Sequence, residues 1–231
     1  MLHPQGNRIL FFGASDTGKS YECMQFSEFL RNNPKAPKRV IVYENVRNDE
    51  TYGNIEKYGK FQEIHLNALD YTLPQKGKFR IISRDLDGFV QKASKLTNSV
   101  IVFDDATSLF RKSVPDELIQ FLGLRKNQRL EIMFQLHTVK ETAPSLLENS
   151  DIFVIKQTGD SLPVKDTCPN SKVITKLIRE CQEENAKNGF KNFWATRVYV
   201  PSTSSVYRKD LSAPTLEKSY QKRINLLENP L

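Results

Sequence analysis

The sequence predicts an α/β protein, with a mostly parallel central sheet flanked by helices and a C-terminal extension of helix and strand. Three features predict it. Short apolar segments recur through the first two thirds of the chain, stretches of helical periodicity separate them, and a glycine-rich turn directly follows the first segment. The segments are Arg8–Phe12, Val40–Tyr43, Phe79–Ile82, Val100–Phe103, Leu130–Leu136 and Ile152–Ile155. They alternate too little for half-exposed strands, so they read as strands covered on both faces, as in parallel sheets.

Between them, Lys19 to about Arg31 reads as a helix stopped by Asn32-Asn33-Pro34, and Phe89, Val90, Ala93 and Leu96 share one helical face. Pro115 followed by Asp116-Glu117 opens a further helix, with acids at its positive end and Gly123 as its expected stop. Past Asp160 the pattern changes. A polar connector with Pro163 and Pro169 leads to a helix from about Ser171 to Asn188, striped by Ile174, Leu177, Ile178 and Cys181 and ended by Gly189. A strand is expected over Asn192 to Val200, then a Ser/Thr-rich loop, then a final helix from about Thr215 to Glu228. The expected division is a core over residues 1–160 and an extension over 161–231 that packs on or beside it.

The 231 residues are 39% hydrophobic and 26% charged, ordinary for a soluble protein and enough for a sizeable core. The three cysteines, Cys23, Cys168 and Cys181, are odd in number and far apart, which argues against a disulfide framework or a zinc site. No run reaches the roughly 18 apolar residues of a membrane helix, and the first residues lack the apolar stretch of a secretion signal. A cytoplasmic protein without direct membrane insertion is expected. The formal charge of +7 suits a polyanionic partner, although charge alone does not identify one. Part of the excess lies after residue 196, where Arg197, Arg208, Lys209, Lys218, Lys222 and Arg223 outnumber Asp210, Glu217 and Glu228.

The glycine-rich turn reads Gly13-Ala14-Ser15-Asp16-Thr17-Gly18-Lys19-Ser20 and fits G-x-x-x-x-G-K-[ST]. It follows a strand and opens a helix, the context the P-loop needs. Glycines let the backbone wrap so that its N–H groups meet a β-phosphate, and the helix start adds positive potential. Lys19 then spans the β- and γ-phosphates and the Ser20 hydroxyl ligates Mg²⁺. Tyr21 follows directly and is counted among the nucleotide-contacting residues. The expected cofactors are ATP and Mg²⁺; no Asn-Lys-x-Asp motif for guanine occurs.

Val100-Ile101-Val102-Phe103-Asp104-Asp105 delivers two carboxylates at the C-terminal end of a buried strand, where open α/β sheets bind ligands. This fits a Walker B element, with Asp104 at the metal and Asp105 where many motor ATPases carry the glutamate that polarises water. Neighbouring side chains on a strand point oppositely, so the two acids can divide these tasks only if the strand ends at Asp104. Gln135 and His137, two apart at the end of a later strand, face the same way and read as candidate γ-phosphate sensors, His137 favoured. Arg125, Lys126 and Arg129 lie just before that strand, where an arginine at a subunit edge could reach a neighbour's γ-phosphate. Solvated charge is the competing explanation for any one of these cations.

Taken in this order, strand–P-loop–helix, Val100 to Asp105, and Leu124 to Thr138 with its Arg125 turn and polar strand end, residues Arg8 to Lys156 resemble the FtsK/HerA superfamily of DNA-translocating ATPases. In style and size the chain is most similar to viral genome-packaging ATPases. The resemblance implies Lys19 and Ser20 at the phosphates and metal, Asp104 at the metal, and Asp105 as catalytic acid/base. It puts the sensor on His137, or on Gln135 if the strand ends early, and a trans-acting finger on Arg125 or Arg129. Two positions depart from the family: Asp105 replaces the commoner glutamate, and histidine stands where the sensor is usually glutamine. The resemblance further implies a homo-oligomeric ring, a hexamer favoured, around double-stranded DNA. A capsid or portal protein would be a further partner, in the host cytoplasm or the virion. Rival expectations are a filamentous-phage assembly or secretion ATPase of the zonula-occludens-toxin type, a small-molecule kinase, and a nucleotide-gated binding module with negligible turnover.

Overall fold

The computed structural model describes residues 6–110, 114–164, 170–189 and 195–208. The first strand, β1 (Arg8–Phe12), runs into the glycine-rich turn and helix α1 (Lys19–Arg31), and β2 (Arg39–Glu44) follows. Two single-turn helices, α2 (Asp49–Tyr52) and α3 (Ile55–Tyr58), are capped by Asn48 and Asn54, whose side chains accept from the backbone N–H three residues on. Then come β3 (Gln62–Glu63), β4 (Lys78–Ile82), α4 (Leu86–Ala93), β5 (Ser99–Phe103), α5 (Ala106–Leu109), α6 (Asp116–Leu124), β6 (Glu131–Leu136), α7 (Pro144–Glu148) and β7 (Ile152–Ile155). Beyond residue 160 lie α8 (Ser171–Lys187), β8 (Arg197–Val200) and β9 (Ser205–Arg208).

The nine strands of the described residues form one sheet in the order β3-β4-β2-β5-β6-β1-β7-β8-β9. The pairings from β3 to β7 are parallel, while β8 and β9 add antiparallel at one side. The sheet therefore continues across residue 160.

Alternation along each strand sorts side chains onto two buried faces. On one, Leu10, Phe12, Tyr43, Ile101, Phe103, Phe134 and Phe153 meet Phe89, Phe121, Leu146 and Ile178 from α4, α6, α7 and α8. On the other, Ile9, Phe11, Val42, Val102, Met133 and Val154 meet Cys23, Met24 and Leu30 of α1 together with Tyr52 and Tyr58. Two covered faces explain why the strands read as continuous apolar runs. The described cysteines, Cys23 and Cys181, are buried free thiols.

The six strands expected between Arg8 and Ile155 and the two long helices fall within a residue or so of their expected bounds, whereas the strand expected over Asn192 to Val200 forms only from Arg197, and β3 was not expected. Two further expectations are corrected. Gly123 does not stop its helix: α6 runs through it to Leu124, Arg125 keeps helical dihedrals, and Arg129 at φ 56° supplies the left-handed residue before β6. The stretch after Val200 is not only a loop, because Ser204 at φ 50° turns the chain and Ser205–Arg208 pairs with β8. The expected helix over Thr215 to Glu228 lies outside the described residues, as do Cys168 and residues 192–194 of the expected strand. Among the described residues no helix is long and apolar enough to cross a membrane.

Phe103 is the hub of the larger face. Its ring stacks on Phe134 at 4.9 Å and 6°, and meets Tyr43, Phe89 and Phe110 with centroids at 6.0, 5.6 and 5.9 Å. Phe103→Ala is expected to lower the free energy of unfolding by about 3–5 kcal/mol, read by urea denaturation, because the tightly packed rings around it cannot collapse into the space.

Candidate functional site

Parallel pairing in register brings the C-terminal ends of five strands to one edge of the sheet. Phe12 sits opposite both Leu136 and Ile155, Phe103 opposite Phe134, and Tyr43 opposite Phe103. The residues following each end are Gly13, His137, Lys156 and Asp104, with Glu44 closing β2. Strand β6 lies between the strand that carries the paired acids and the one that feeds the P-loop.

The turn from Gly13 to Ser20 wraps as its glycines require. Gly18 lies at φ 75°, where a side chain would be strained, and a Cβ on Gly13 would fall 2.5 Å from Thr17 Oγ1. Thr17 Oγ1 donates to the Ala14 carbonyl at 2.8 Å, and the Gly13 and Ala14 amides are tied to Leu136 and Gln157. Among the described residues no backbone carbonyl takes the amides of Ser15 through Ser20. A run of donors at the start of a helix favours an anion.

Lys19 lies under this turn with only 8% of its surface exposed. Its ammonium donates to the Gly13 carbonyl at 3.1 Å and meets His137 Nδ1 at 3.3 Å. Burial lowers its pKa to about 8, against the upward pull of Asp104 and Asp105.

Strand β5 does end at Phe103, so the two acids diverge. Asp105 stands in the left-handed region at φ 44°, its carboxylate 3.4 Å from His137 Nε2. Burial opposes its ionisation, but the hydrogen bond from His137, together with Ser108 and Lys19, holds its pKa below the usual value. Asp104 is turned inward and its pKa is raised by burial, while Asn48, Tyr52 and Lys19 act in the opposite sense. Asn48 Nδ2 donates to its Oδ2 at 3.0 Å and the Tyr52 hydroxyl to its Oδ1 at 3.1 Å. The two carboxylates thus have unlike surroundings, as separate tasks need.

Both sensor candidates reach the P-loop by different routes. His137 joins Lys19 to Asp105, and its backbone N–H donates to Thr107 Oγ1 at 2.7 Å. Gln135 is fully buried; its Oε1 accepts from Ser20 Oγ and its Nε2 donates to Tyr52 OH, both at 2.8 Å. Ser15 and Asp16 are exposed. Tyr21 has its ring 6.4 Å from that of Tyr58, with the Lys57 ammonium 5.3 Å from its centroid. Arg125 and Arg129 lie at the opposite, N-terminal edge of the sheet, where Arg125 Nη2 donates to Asp151 Oδ2 at 3.3 Å and Arg129 is exposed.

Four residues of the site escaped the sequence reading: Asn48, Tyr52, Glu44 and Arg80. Arg80 grips both carboxylate oxygens of the fully buried Glu44 at 2.8 and 2.7 Å and reaches Asp49 at 2.7 Å, and Glu44 Oε2 also accepts the Asn48 N–H. This pins the loop that carries Asn48 and Tyr52. The available signal was the run from Glu44, the last residue of β2, to Thr51, polar at every position but Val46, at the strand end where ligands bind.

The protein oxygens near the P-loop fit Mg²⁺. Ser20 and Asp104 are hard donors, and two protein ligands suffice for an ion that takes its remaining ligands from phosphate and water. Among the described residues there is no group of three or more His, Cys, Asp or Glu that could hold a metal ion.

The sequence matches no protein-family model and no curated protein. The fold is similar to that of the genome-packaging NTPase B204 from Sulfolobus turreted icosahedral virus 2 in complex with ATP-gammaS. The TM-score is 0.60 at 16% identity, over 89% of this chain and 97% of that one. B204 described as the DNA-packaging ATPase of Sulfolobus turreted icosahedral virus gives 0.58 at 17% identity, over 90% and 98%. The N-terminal domain of zonular occludens toxin from Neisseria meningitidis gives 0.46 at 10% identity, over 94% and 98%. At these identities the likeness to the two B204 structures is one of fold alone, and it spans about nine tenths of this chain. The chain has a P-loop NTPase fold resembling that of viral genome-packaging ATPases.

Proposed function

We propose that this protein is a Mg²⁺-dependent ATPase that moves double-stranded DNA, most fittingly as the packaging motor of a virus. The observation that carries the ATPase reading is the set Lys19, Asp104, Asp105 and His137. A buried ammonium sits under the phosphate-wrapping turn, with an inward carboxylate and an outward one in its field. The DNA reading is supported by the fold shared with a protein described as a DNA-packaging ATPase, and by a formal charge of +7. A sequence-blind motor needs phosphate contacts more than base contacts.

In this reading the amides of Ser15 to Ser20 bind the β- and γ-phosphates, and Lys19 exchanges its contacts with Gly13 and His137 for phosphate oxygens. Ser20 and Asp104 hold Mg²⁺, which when bound neutralises charge on those oxygens. Asp105, kept ionised, orients and polarises the attacking water. His137 bridges Lys19 and Asp105, so movement of Lys19 onto the γ-phosphate is felt at the base, which is what a sensor does. A ring of identical subunits around the duplex, hexameric by preference, would bring Arg125 or Arg129 from one protomer to the nucleotide of the next, and a capsid or portal protein would receive the motor.

The test is the ATPase rate with and without double-stranded DNA. DNA is expected to stimulate turnover, and Lys19→Ala and Asp104→Ala to lower the stimulated rate by about 100-fold or more. Asp105→Asn is expected to lose about 100-fold in kcat with nucleotide affinity retained. A rate indifferent to DNA at every concentration would favour a nucleotide-gated switch over a motor. For the arginines, mixing Arg125→Ala subunits with Lys19→Ala subunits should restore part of the activity; no restoration with either Arg125 or Arg129 removes the trans finger.

The depressed Lys19 pKa gives a pH prediction. Only the charged amine attracts phosphate, so ATP affinity should be level below about 8 and fall as pH rises through it. Phosphate raises that pKa, so binding above about 8 should take up a proton. Calorimetry in buffers of different ionisation enthalpy would measure the uptake, which Lys19→Ala should lack.

A further inference from the structure

We infer that Tyr52 is a positioning residue for the metal end of the site: its hydroxyl sets the direction of a hydrogen-bond chain that presents the lone pairs of Ser20 to a divalent cation. This rests on the reading above that Ser20 and Asp104 hold Mg²⁺. The chain runs Ser20 Oγ to Gln135 Oε1 at 2.8 Å, Gln135 Nε2 to Tyr52 OH at 2.8 Å, and Tyr52 OH to Asp104 Oδ1 at 3.1 Å.

Its direction follows from what each group can do. An ionised carboxylate only accepts, and the other Asp104 oxygen already accepts from Asn48. The Tyr52 proton is therefore given to Asp104, which leaves the Tyr52 oxygen as acceptor for an amide donor. That fixes the carboxamide of Gln135 with its nitrogen toward Tyr52 and its oxygen toward Ser20. Ser20 then gives its one proton to Gln135, and its remaining capacity is lone pairs alone, as a cation requires. Gln135 is fully buried and Tyr52 is 2% exposed, so these links form where bonds in a chain polarise one another.

The fold holds Tyr52 in place from several sides. Asn48 caps α2 through Thr51 N and receives support from Glu44, Arg80 ties Asp49 to Glu44, and the Tyr52 ring packs edge-on against Phe61 at 5.6 Å. Phenylalanine at 52 would keep the ring contact while removing the group that orients Gln135. The carboxamide could then turn over and present its N–H₂ to Ser20, whose lone pair would accept it in competition with the cation.

The experiment measures binding of a fluorescent ATP analogue to the full chain, first in excess EDTA and then over a Mg²⁺ titration. Tyr52→Phe is expected to bind the analogue in EDTA as the parent does, but to need about tenfold more Mg²⁺ for half of the metal-dependent gain. An unchanged Mg²⁺ midpoint, or an equal loss with and without the metal, overturns the inference. Should Tyr52→Phe fail to fold, judged by circular dichroism, Gln135→Met breaks the chain one link nearer Ser20 and must show the same shift; an unshifted midpoint there also overturns it. Ser20→Ala separates the two levels. If Ser20→Ala leaves the midpoint unmoved, the underlying metal reading fails; if it shifts and Tyr52→Phe does not, only the role of Tyr52 fails.

Discussion

The buried ammonium of Lys19 is the interaction on which the rest of the site depends. Removing a charge from water is costly, and here the cost appears as a pKa lowered to about 8. The charge is held by the Gly13 carbonyl, by His137, and by the field of two carboxylates from another strand. Each support makes a demand on the fold. The Gly13 carbonyl needs the wrapped turn, the carboxylates need β5 to end at the same edge as β1, and His137 needs β6 between them. The glycines meet the first demand and the sheet order the other two, and a triphosphate at the same place would supply the anion that the ammonium has only in part.

The site also holds backbone strain. Asp105 and Asp16 adopt left-handed dihedrals, which for residues with a Cβ cost on the order of 1–2 kcal/mol each. At Asp105 the strain has a visible consequence, because it swings the second carboxylate off the strand axis toward His137 while the first stays inward. The aromatic cluster around Phe103, immediately before the paired acids, anchors the strand against which this turn is made. The Glu44–Arg80 pair does the same for the loop after β2; breaking so buried a pair by removing one partner would leave a bare charge inside.

Much of this was legible in the sequence. The P-loop spacing after a strand named Lys19 and Ser20, and two acids ending an apolar run named Asp104 and Asp105. The apolar runs gave the strands because both faces are covered. The parts that escaped depend on strand order, which sequence does not display. Asn48 and Tyr52 become neighbours of Asp104 only because β2 pairs with β5, and α2, at four residues, is too short for a helical period to mark it. The sequence offers Gln135 and His137 as alternative sensors, whereas the side chains divide: one reaches Ser20, the other Lys19 and Asp105. Gly123 misled for a related reason, since the chain takes its left-handed turn at Arg129 instead.

The decisive measurement is a crystal structure with a non-hydrolysable ATP analogue and Mg²⁺. The triphosphate is expected on the amides of Ser15 to Ser20, with Lys19 Nζ moved from Gly13 and His137 onto phosphate oxygens and the ion held by Ser20 and Asp104. A nucleotide bound away from this turn, or Asp104 pointing away from the metal, would overturn the proposed site.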